Sequence, residues 1–184
     1  MSCRVLALGV LLSLLCGCAT VVVREEPSHA ALAEALLENV KGTVVQTVEG
    51  AWKDESFAAE CVLKGDGEMF TAVLLAPQMR LATLTLTRPH KLRWDRAPQL
   101  PSSLDPEYVL FDLALLILPT DTLSKALGED YRVDETTDGR RRRVVDARKG
   151  RLHSVRQVLP NGGVYFRNAI YGYEVTVKTV SHEN

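Results

Sequence analysis

Cysteine is the residue type in this 184-residue sequence whose position most clearly suggests a reaction, because its thiolate is a nucleophile and a metal ligand. Cys18 directly follows Gly17 at the end of an apolar run over residues 5–15, and the basic residue Arg4 precedes this run. A basic residue, roughly 7–15 apolar residues and a small residue at the end are typical of an export signal. The run is too short to cross a bilayer, which requires about 20 apolar residues. We therefore predict that residues 1–17 form a cleaved signal peptide.

The end of this signal peptide, Leu15-Cys16-Gly17-Cys18, resembles the lipobox of bacterial lipoproteins. The resemblance implies cleavage after Gly17 and attachment of acyl chains, such as palmitate, to Cys18. Each buried methylene contributes about 0.8 kcal/mol to membrane binding, so two or three chains form a durable anchor. Ala19 stands where an aspartate tends to retain lipoproteins in the inner membrane, so the resemblance implies the periplasmic face of the outer membrane. The alternative is an ordinary signal peptide that contains cysteines by chance.

The rest of the chain is predicted to be a lipidated tether over residues 18–28 and one domain over residues 29–184. A chain of this length is long enough to bury one core and short for two. The sequence contains 22 basic and 23 acidic residues, a balance that gives no sign of a polyanionic partner. We therefore predict no binding to nucleic acid.

The other reactive residue types do not form a catalytic pattern. Cys61 alternates with apolar residues on a predicted strand, which favours a buried side chain over a reactive thiol. The four histidines lack the spacing of a zinc protease, and the sequence has no nucleophile elbow, phosphate-binding loop or cysteine cluster. We predict no catalytic residue, no metal site, no cofactor and no enzymatic activity.

Asp112 is the one carboxylate within a very apolar segment, where an unpaired charge is costly. It is either a buried structural partner of an arginine, such as Arg167 or Arg80, or a catalytic acid with a raised pKa. No second carboxylate or histidine has the spacing that would complete a catalytic pair, which favours the structural partner.

A basic block begins at Arg140-Arg141-Arg142-Arg143 and continues through further basic residues to Arg156. Such a block can contact anionic lipid head groups or an acidic protein partner, at about 1 kcal/mol per charge near a membrane. The alternative is a pair of strands whose charges are simply solvated.

Most of the domain has the alternating pattern of half-buried strands, interrupted by turns rich in Gly, Asn, Asp and Pro. An amphipathic helix over residues 29–41, with Leu32, Leu36, Leu37 and Val40 on one face, precedes the strands. We predict ten strands, near residues 44–48, 56–64, 68–76, 79–87, 91–96, 131–135, 140–147, 151–159, 164–169 and 173–180.

A second helix is predicted midway, over residues 106–118. Asp105-Pro106 is a strong helix start and Pro119 ends the segment. This helix is apolar on all sides apart from Asp112, so it must be buried. The predicted fold is therefore α+β: a curved antiparallel β-sheet, or half-barrel, wrapped over an N-terminal amphipathic helix and an inserted apolar helix, with a meander topology.

The segments 79–84, 104–119 and 168–173 resemble an uncharacterised family of bacterial outer-membrane lipoproteins, related to the LolA/LolB lipoprotein-carrier half-barrels. The resemblance extends from about residue 57 to residue 180. It implies that acyl chains or lipidated proteins are handled in a hydrophobic hollow, in the company of aryl-polyene and fatty-acid-type biosynthesis. The chain departs from lipoprotein receptors in one respect, because its sequence shows no exposed hydrophobic loop of the kind that inserts cargo into a membrane.

Two functional hypotheses follow. In the first, the protein binds or transfers an acyl chain, a lipid or a lipidated cargo in the hollow; in the second, it is a structural or assembly lipoprotein that contacts a protein partner around Arg140–Arg143. A fully packed core without a vacancy is the alternative to the hollow. The residues predicted to line the hollow are Phe57, Leu63, Leu74, Leu84, Leu86, Leu92, Trp94, Phe111, Leu115, Tyr173 and Val175.

Overall fold

The computed structural model describes residues 29–52, 55–98, 100 and 104–183. The predicted signal peptide, Cys18 and the tether lie outside these residues. Within them the chain forms three α-helices and ten strands: α1 (His29–Asn39), β1 (Gly42–Trp52), β2 (Glu55–Gly65), β3 (Met69–Ala76), β4 (Met79–Thr87), β5 (Lys91–Arg96), α2 (Pro106–Ile117), α3 (Thr120–Leu127), β6 (Tyr131–Glu135), β7 (Arg141–Asp146), β8 (Leu152–Val158), β9 (Val164–Asn168) and β10 (Tyr173–Glu183).

The ten strands form one antiparallel sheet in the order β5-β4-β3-β2-β1-β10-β9-β8-β7-β6. Strands β1 to β5 form one meander and β6 to β10 form a second, and the two meet where β1 pairs with β10. At this junction Val48 lies between Ala59 of β2 and Val177 of β10. The predicted fold class is confirmed: the molecule is an open, curved half-barrel of the α+β class.

The turn between β2 and β3 illustrates how local chemistry sets the register. Oδ1 of Asp66 accepts hydrogen bonds from the amides of Glu68 at 2.9 Å and Met69 at 2.8 Å. Gly67 has a φ angle of 97°, which side chains rarely tolerate. These residues place Leu63 opposite Ala72 on the same face of the sheet.

Strand β1 is longer than the sequence predicted, because Gly50 resembles a strand end in the sequence although the strand continues through it. The predicted strand stopped near residue 48, whereas β1 has 11 residues and pairs with β2 and β10 up to Trp52. A Cβ atom at Gly50 would lie 2.5 Å from Cζ of Phe57 and 2.8 Å from Cγ1 of Val175. The glycine therefore permits the close approach of these neighbouring side chains rather than ending the strand.

The core lies between the helices and the concave face of the sheet. The stripe predicted on α1 is buried, with Leu32, Leu36 and Leu37 completely inaccessible and Val40 nearly so. Alternate residues of β2, β3 and β4 face this stripe and are also buried: Cys61, Leu63, Phe70, Ala72, Leu84 and Leu86.

Helix α2 belongs to the connection between the two outer strands of the sheet, β5 and β6. It begins at Pro106, and Oδ1 of Asp105 accepts a hydrogen bond from the Glu107 amide at 2.9 Å. The helix ends at Ile117, before Pro119. It contacts α1, β5 and β8, so it lies within the half-barrel, and its apolar surface is covered from several sides.

Candidate functional site

A cavity of about 270 Å³ lies between the concave face of the sheet and the C-terminal ends of α1 and α2. Strands β1, β2, β9 and β10 and the last turn of α2 supply its apolar walls. The side chains of these walls are Val44, Leu63, Val164, Val177, Leu116 and Ile117, and Val40, between α1 and β1, is the seventh apolar residue of the lining.

The cavity exists because the helices are much shorter than the central strands. An 11-residue strand is about 37 Å long. A 12-residue helix such as α2 is about 18 Å long. The helices therefore leave part of the concave face uncovered, and the vacancy lies where α1 and α2 end.

The polar side chains of the lining come from the C-terminal end of α1 and from β1, β8 and β10. Nδ2 of Asn39 donates to the Ala35 carbonyl at 2.8 Å, and Nζ of Lys41 donates to the Leu37 carbonyl at 3.1 Å. Leu37 belongs to the last turn of α1, whose carbonyl groups lack partners within the helix, so the Lys41 bond satisfies one of them. The other polar residues of the lining are Gln46, Arg156, Thr179 and His182.

Arg156 projects from β8 to the end of α2. Its Nε donates to the Leu116 carbonyl at 3.0 Å, where a cation is favoured by the negative end of the helix dipole. Burial lowers the pKa of Arg156, and the charge of Glu135 opposes this shift. The lining contains no aspartate or glutamate, so Arg156, Lys41 and His182 give the polar part of the cavity a basic character.

Arg142 corrects the prediction that Arg140–Arg143 is a uniform surface block. Its side chain is buried, whereas Arg140, Arg141 and Arg143 are exposed. Nη1 of Arg142 donates to the Leu118 carbonyl at 2.6 Å, and Nη2 donates to the Leu115 carbonyl. Burial and the nearby charge of Arg156 lower the pKa of Arg142 to about 10, against the opposing effect of Glu135. Arg142 is therefore a capping group for α2.

Asp112 also differs from its prediction, because its partners are not arginines. Oδ1 accepts a hydrogen bond from Nδ2 of Asn168 at 2.8 Å, and Oδ2 accepts one from the Tyr173 hydroxyl. The expected partner Arg80 instead pairs with Asp95 at 2.8 Å, and Arg167 is exposed. Burial raises the pKa of Asp112 to about 6, although both hydrogen bonds oppose the shift.

These contacts make Asp112 a link between α2 and the sheet. Oδ1 of Asn168 also accepts hydrogen bonds from the Ile170 and Tyr171 amides, so the same side chain shapes the turn between β9 and β10. The predicted arginine pair of Asp112 is therefore wrong, and the carboxylate is held by Asn168 and Tyr173 instead.

The residues predicted to line a hollow have three different environments. Leu63 lines the cavity, and Phe57 has an exposed fraction of 42%. The others pack in or against the core; Leu84, Leu86, Phe111 and Leu115 are buried, and Leu74, Leu92, Trp94, Tyr173 and Val175 are half-buried. The helices thus fill much of the concave face, and the cavity lies beside the filled region.

Sequence reasoning missed Lys41 and His182, and it assigned Arg156 to a surface block. Lys41 follows α1, Arg156 lies on β8 and His182 lies near the end of β10. They lie together only because β10 pairs with β1, and no local sequence pattern predicts that pairing. The neighbours of Arg156 on β8, the apolar Val155 and the polar Gln157, gave no local signal that Arg156 points inward.

Two classes of site are absent from the part of the chain that the structure describes. No group of three histidine, cysteine, aspartate or glutamate side chains could hold a metal ion there. Among the same residues, no helix has the length and hydropathy needed to span a membrane.

Residues 43–181 match the model of a protein family described as "Protein of unknown function (DUF3261)". The chain belongs to this family. The DUF3261 match includes Arg156 and six of the seven apolar residues of the lining, whereas Val40, Lys41 and His182 lie just outside it. Comparison with curated proteins gives no match.

Several solved structures are similar in fold to this DUF3261 protein. One is a LolA superfamily protein from Nitrosomonas europaea, at 11% identity over 84% of this chain and 90% of that chain, with a TM-score of 0.34. A DUF1329 family protein from Desulfovibrio piger has 7% identity over 85% and 92%, with a TM-score of 0.29. A domain described as an outer-membrane lipoprotein-sorting protein from Vibrio parahaemolyticus has 11% identity over 77% and 85%, with a TM-score of 0.30.

Proposed function

We propose that this protein is a periplasmic lipoprotein of the outer membrane that binds, or helps to transfer, an acyl chain, a lipid or a lipidated cargo. The observation that carries the proposal is the cavity of about 270 Å³, whose lining has seven apolar residues and a basic polar part. Apolar walls bind a hydrocarbon chain without directional contacts, at about 0.8 kcal/mol for each buried methylene. Aryl-polyene or fatty-acid-type biosynthesis would supply such amphiphiles.

The size of the cavity limits what it can hold. Pockets for small molecules usually measure about 300–1,000 Å³, so this cavity suits a segment of an acyl chain rather than a whole lipid. The remainder of the ligand would extend out of the cavity. A binding role is also better supported than catalysis, because Asp112, whose pKa is shifted, is engaged by Asn168 and Tyr173 rather than facing the cavity.

The anchor in this proposal is Cys18, acylated after removal of residues 1–17. The tether of residues 18–28, if fully extended, would reach at most about 36–40 Å from the membrane. The domain of residues 29–184 would therefore work close to the membrane surface, where lipidated cargo is available.

The test is to purify the full chain from membranes and to identify copurifying amphiphiles by mass spectrometry. Thr179→Trp should block the cavity, because Thr179 is exposed and belongs to the lining. Ser181→Trp is the matched control, because Ser181 is exposed on the same strand but lies on the other face of the sheet. Ser181 pairs with Val45, and Val45 points to the opposite face from its neighbour Val44, which lines the cavity. We expect a bound amphiphile in the native chain and the control, and a loss of at least about tenfold in Thr179→Trp. Equal amounts in both variants, or none in the native chain, would contradict the proposal.

A second candidate is a non-catalytic assembly lipoprotein that holds a protein partner. Its supporting observation is a basic strip on the convex face, where Arg143 and Arg167 flank Val155 in register and Arg141 lies beside them, all three arginines being exposed. In this case Arg141→Glu or Arg143→Glu would release a copurifying protein and leave the amphiphile content unchanged.

A further inference from the structure

We infer that the amphiphile held in this cavity has an anionic head group, a carboxylate or a phosphate, and that Arg156 binds it with the help of Lys41 and His182. This inference rests on the proposed binding function and adds the chemical class of the ligand. It is carried by three side chains that come from separate elements and meet at one cavity.

The charge of the lining is one-sided. Arg156 and Lys41 are cations, whereas none of the residues that line the cavity is acidic. Glu135 is the carboxylate whose charge acts on Arg156, and it is exposed on the outer strand β6 and does not line the cavity. Asp66, whose charge interacts with that of Lys41, also lies outside the lining, so an anionic head group would supply an acidic partner within the cavity itself.

Arg156 is held ready to bind. Its Nε donates to the Leu116 carbonyl, which fixes the direction of the guanidinium, and among the described residues the two terminal nitrogens have no acceptor of their own. The planar fork of an arginine matches the oxygens of a carboxylate or a phosphate. Arg156 is half-buried, so a charge-assisted bond to it is screened less than one at the surface.

Arg156 also has a like charge as its nearest cross-strand neighbour. Arg142 of β7 pairs with it in the sheet register, and directly opposite like charges are destabilising. The charge of Arg156 contributes to the lowered pKa of Arg142. An anion at Arg156 would offset this repulsion, which gives the folded protein a reason to prefer a charged ligand over a neutral one.

The apolar walls and the cations together set the orientation of the ligand. Leu116 and Ile117 supply apolar wall at the end of α2, and the Leu116 carbonyl holds Arg156 at the same point. A chain that lies along the walls would bring its head group to Arg156. The geometry accepts a fatty acid and an alkyl phosphate alike, so the experiment must separate these two sources.

The test uses the full chain in its own membrane and three photoreactive, alkyne-bearing probes of equal chain length: a fatty acid, its methyl ester and an alkyl phosphate. Cross-linked peptides are then mapped by mass spectrometry. The two anionic probes, the fatty acid and the alkyl phosphate, are called the acids. We expect at least one acid to label the peptides that contain Leu116–Ile117 or Val177 about tenfold or more strongly than the ester does, because a hydrogen bond to a charged group adds this much binding free energy. The better-labelled acid identifies the head group.

The variant that tests the residue is Arg156→Gln, which should reduce labelling by the acid to the level of the ester. Arg93→Gln is the control, because Arg93 is an exposed arginine on β5, far from the cavity in the strand order. If Arg156→Gln does not accumulate, Lys41→Met should lower the ratio of acid to ester in the same direction.

The outcomes separate the two proposals. Equal labelling of the cavity peptides by acids and ester, or an unchanged ratio in a folded Arg156→Gln protein, would overturn the anionic head group and leave lipid binding intact. No labelling of these peptides by any probe would overturn the binding function itself.

Discussion

Asp112 and His153 are half-buried titratable residues whose shifted pKa values have opposite effects on stability. Burial raises the pKa of Asp112 from 3.8 to about 6, so the folded protein binds the additional proton between these values. Burial lowers the pKa of His153 from 6.5 to about 4, so here the unfolded chain binds the additional proton. His153 packs on Phe111, with ring centroids 4.8 Å apart, and its buried Nδ1 has no hydrogen-bonding partner among the described residues.

The signs follow from which state binds more protons. The contribution of Asp112 to the free energy of unfolding falls as the pH rises from 3.8 to about 6. The contribution of His153 rises over almost the same range, from about 4 to 6.5. Each shift corresponds to roughly 3 kcal/mol at 1.36 kcal/mol per pKa unit, so the two effects largely cancel.

We therefore predict that single substitutions uncover opposite pH dependences. In Asp112→Asn the free energy of unfolding should rise by roughly 3 kcal/mol between about pH 4 and pH 7, and in His153→Phe it should fall by a similar amount. Urea denaturation across this range measures both. Asp134→Asn, an exposed carboxylate on β6, should keep the native profile. Parallel profiles in all four proteins would show that neither Asp112 nor His153 controls the pH dependence.

At the scale of elements, the C-terminal end of α2 depends on arginines from the sheet. Arg142 donates to the carbonyls of Leu115 and Leu118, and Arg156 donates to that of Leu116. These three acceptors lie at or just beyond the end of the helix, where backbone carbonyls have no partner within the helix. An apolar helix end would otherwise bury unsatisfied carbonyls, which costs about 1–3 kcal/mol for each group.

We predict that Arg142→Met destabilises the protein by about 2–5 kcal/mol, because methionine fills much of the space without donating to the two carbonyls. Arg141→Met is the matched control, since Arg141 is an exposed neighbour on the same strand, and its effect should stay within about 0.5 kcal/mol. Chemical denaturation of both variants measures the difference. Equal stability of the two variants would mean that the buried guanidinium does not hold the end of α2.

The sequence predicted elements well where local signals were strong. Asp105-Pro106 and Pro119 marked the bounds of α2 to within one residue of the observed Pro106–Ile117, and the turn at Asp66 and Gly67 placed β2 and β3 correctly. In these places a cap or a turn residue has one dominant conformation, so the sequence alone decides the structure.

Prediction from the sequence failed where the deciding contact joins residues far apart in the chain, or where polar and apolar residues do not alternate. Four consecutive arginines carry no alternation of polar and apolar residues, so nothing indicated that Arg142 alone turns inward. The pairing of β1 with β10 joins the two ends of the domain, and only this pairing brings His182 beside Val44. How far α1 and α2 fill the concave face depends on the same long-range packing.

At the scale of the whole molecule, the pairing of β1 with β10 holds two meanders together, and α1 directly precedes β1 in the chain. In the chain, the predicted anchor at Cys18 precedes the N-terminal end of α1, whereas the cavity lies at the C-terminal end of this 11-residue helix, about 16 Å along its axis. An anchored chain confines the domain near the membrane, which increases the local concentration of lipid ligands without any new contact.

We predict that Cys18→Ala abolishes both the acyl mass on the chain and its retention in the membrane fraction, because the anchor requires the thiol directly after Gly17. Cys16→Ala is the matched control, since Cys16 lies within the predicted signal peptide and should be removed with it. Intact-mass analysis together with membrane fractionation measures the two effects. The domain of Cys18→Ala should still fold, because its core is built from residues of the helices and the sheet, so its thermal unfolding should match that of the control. Retention of Cys18→Ala in the membrane with an unmodified mass would mean that another part of the chain provides the attachment.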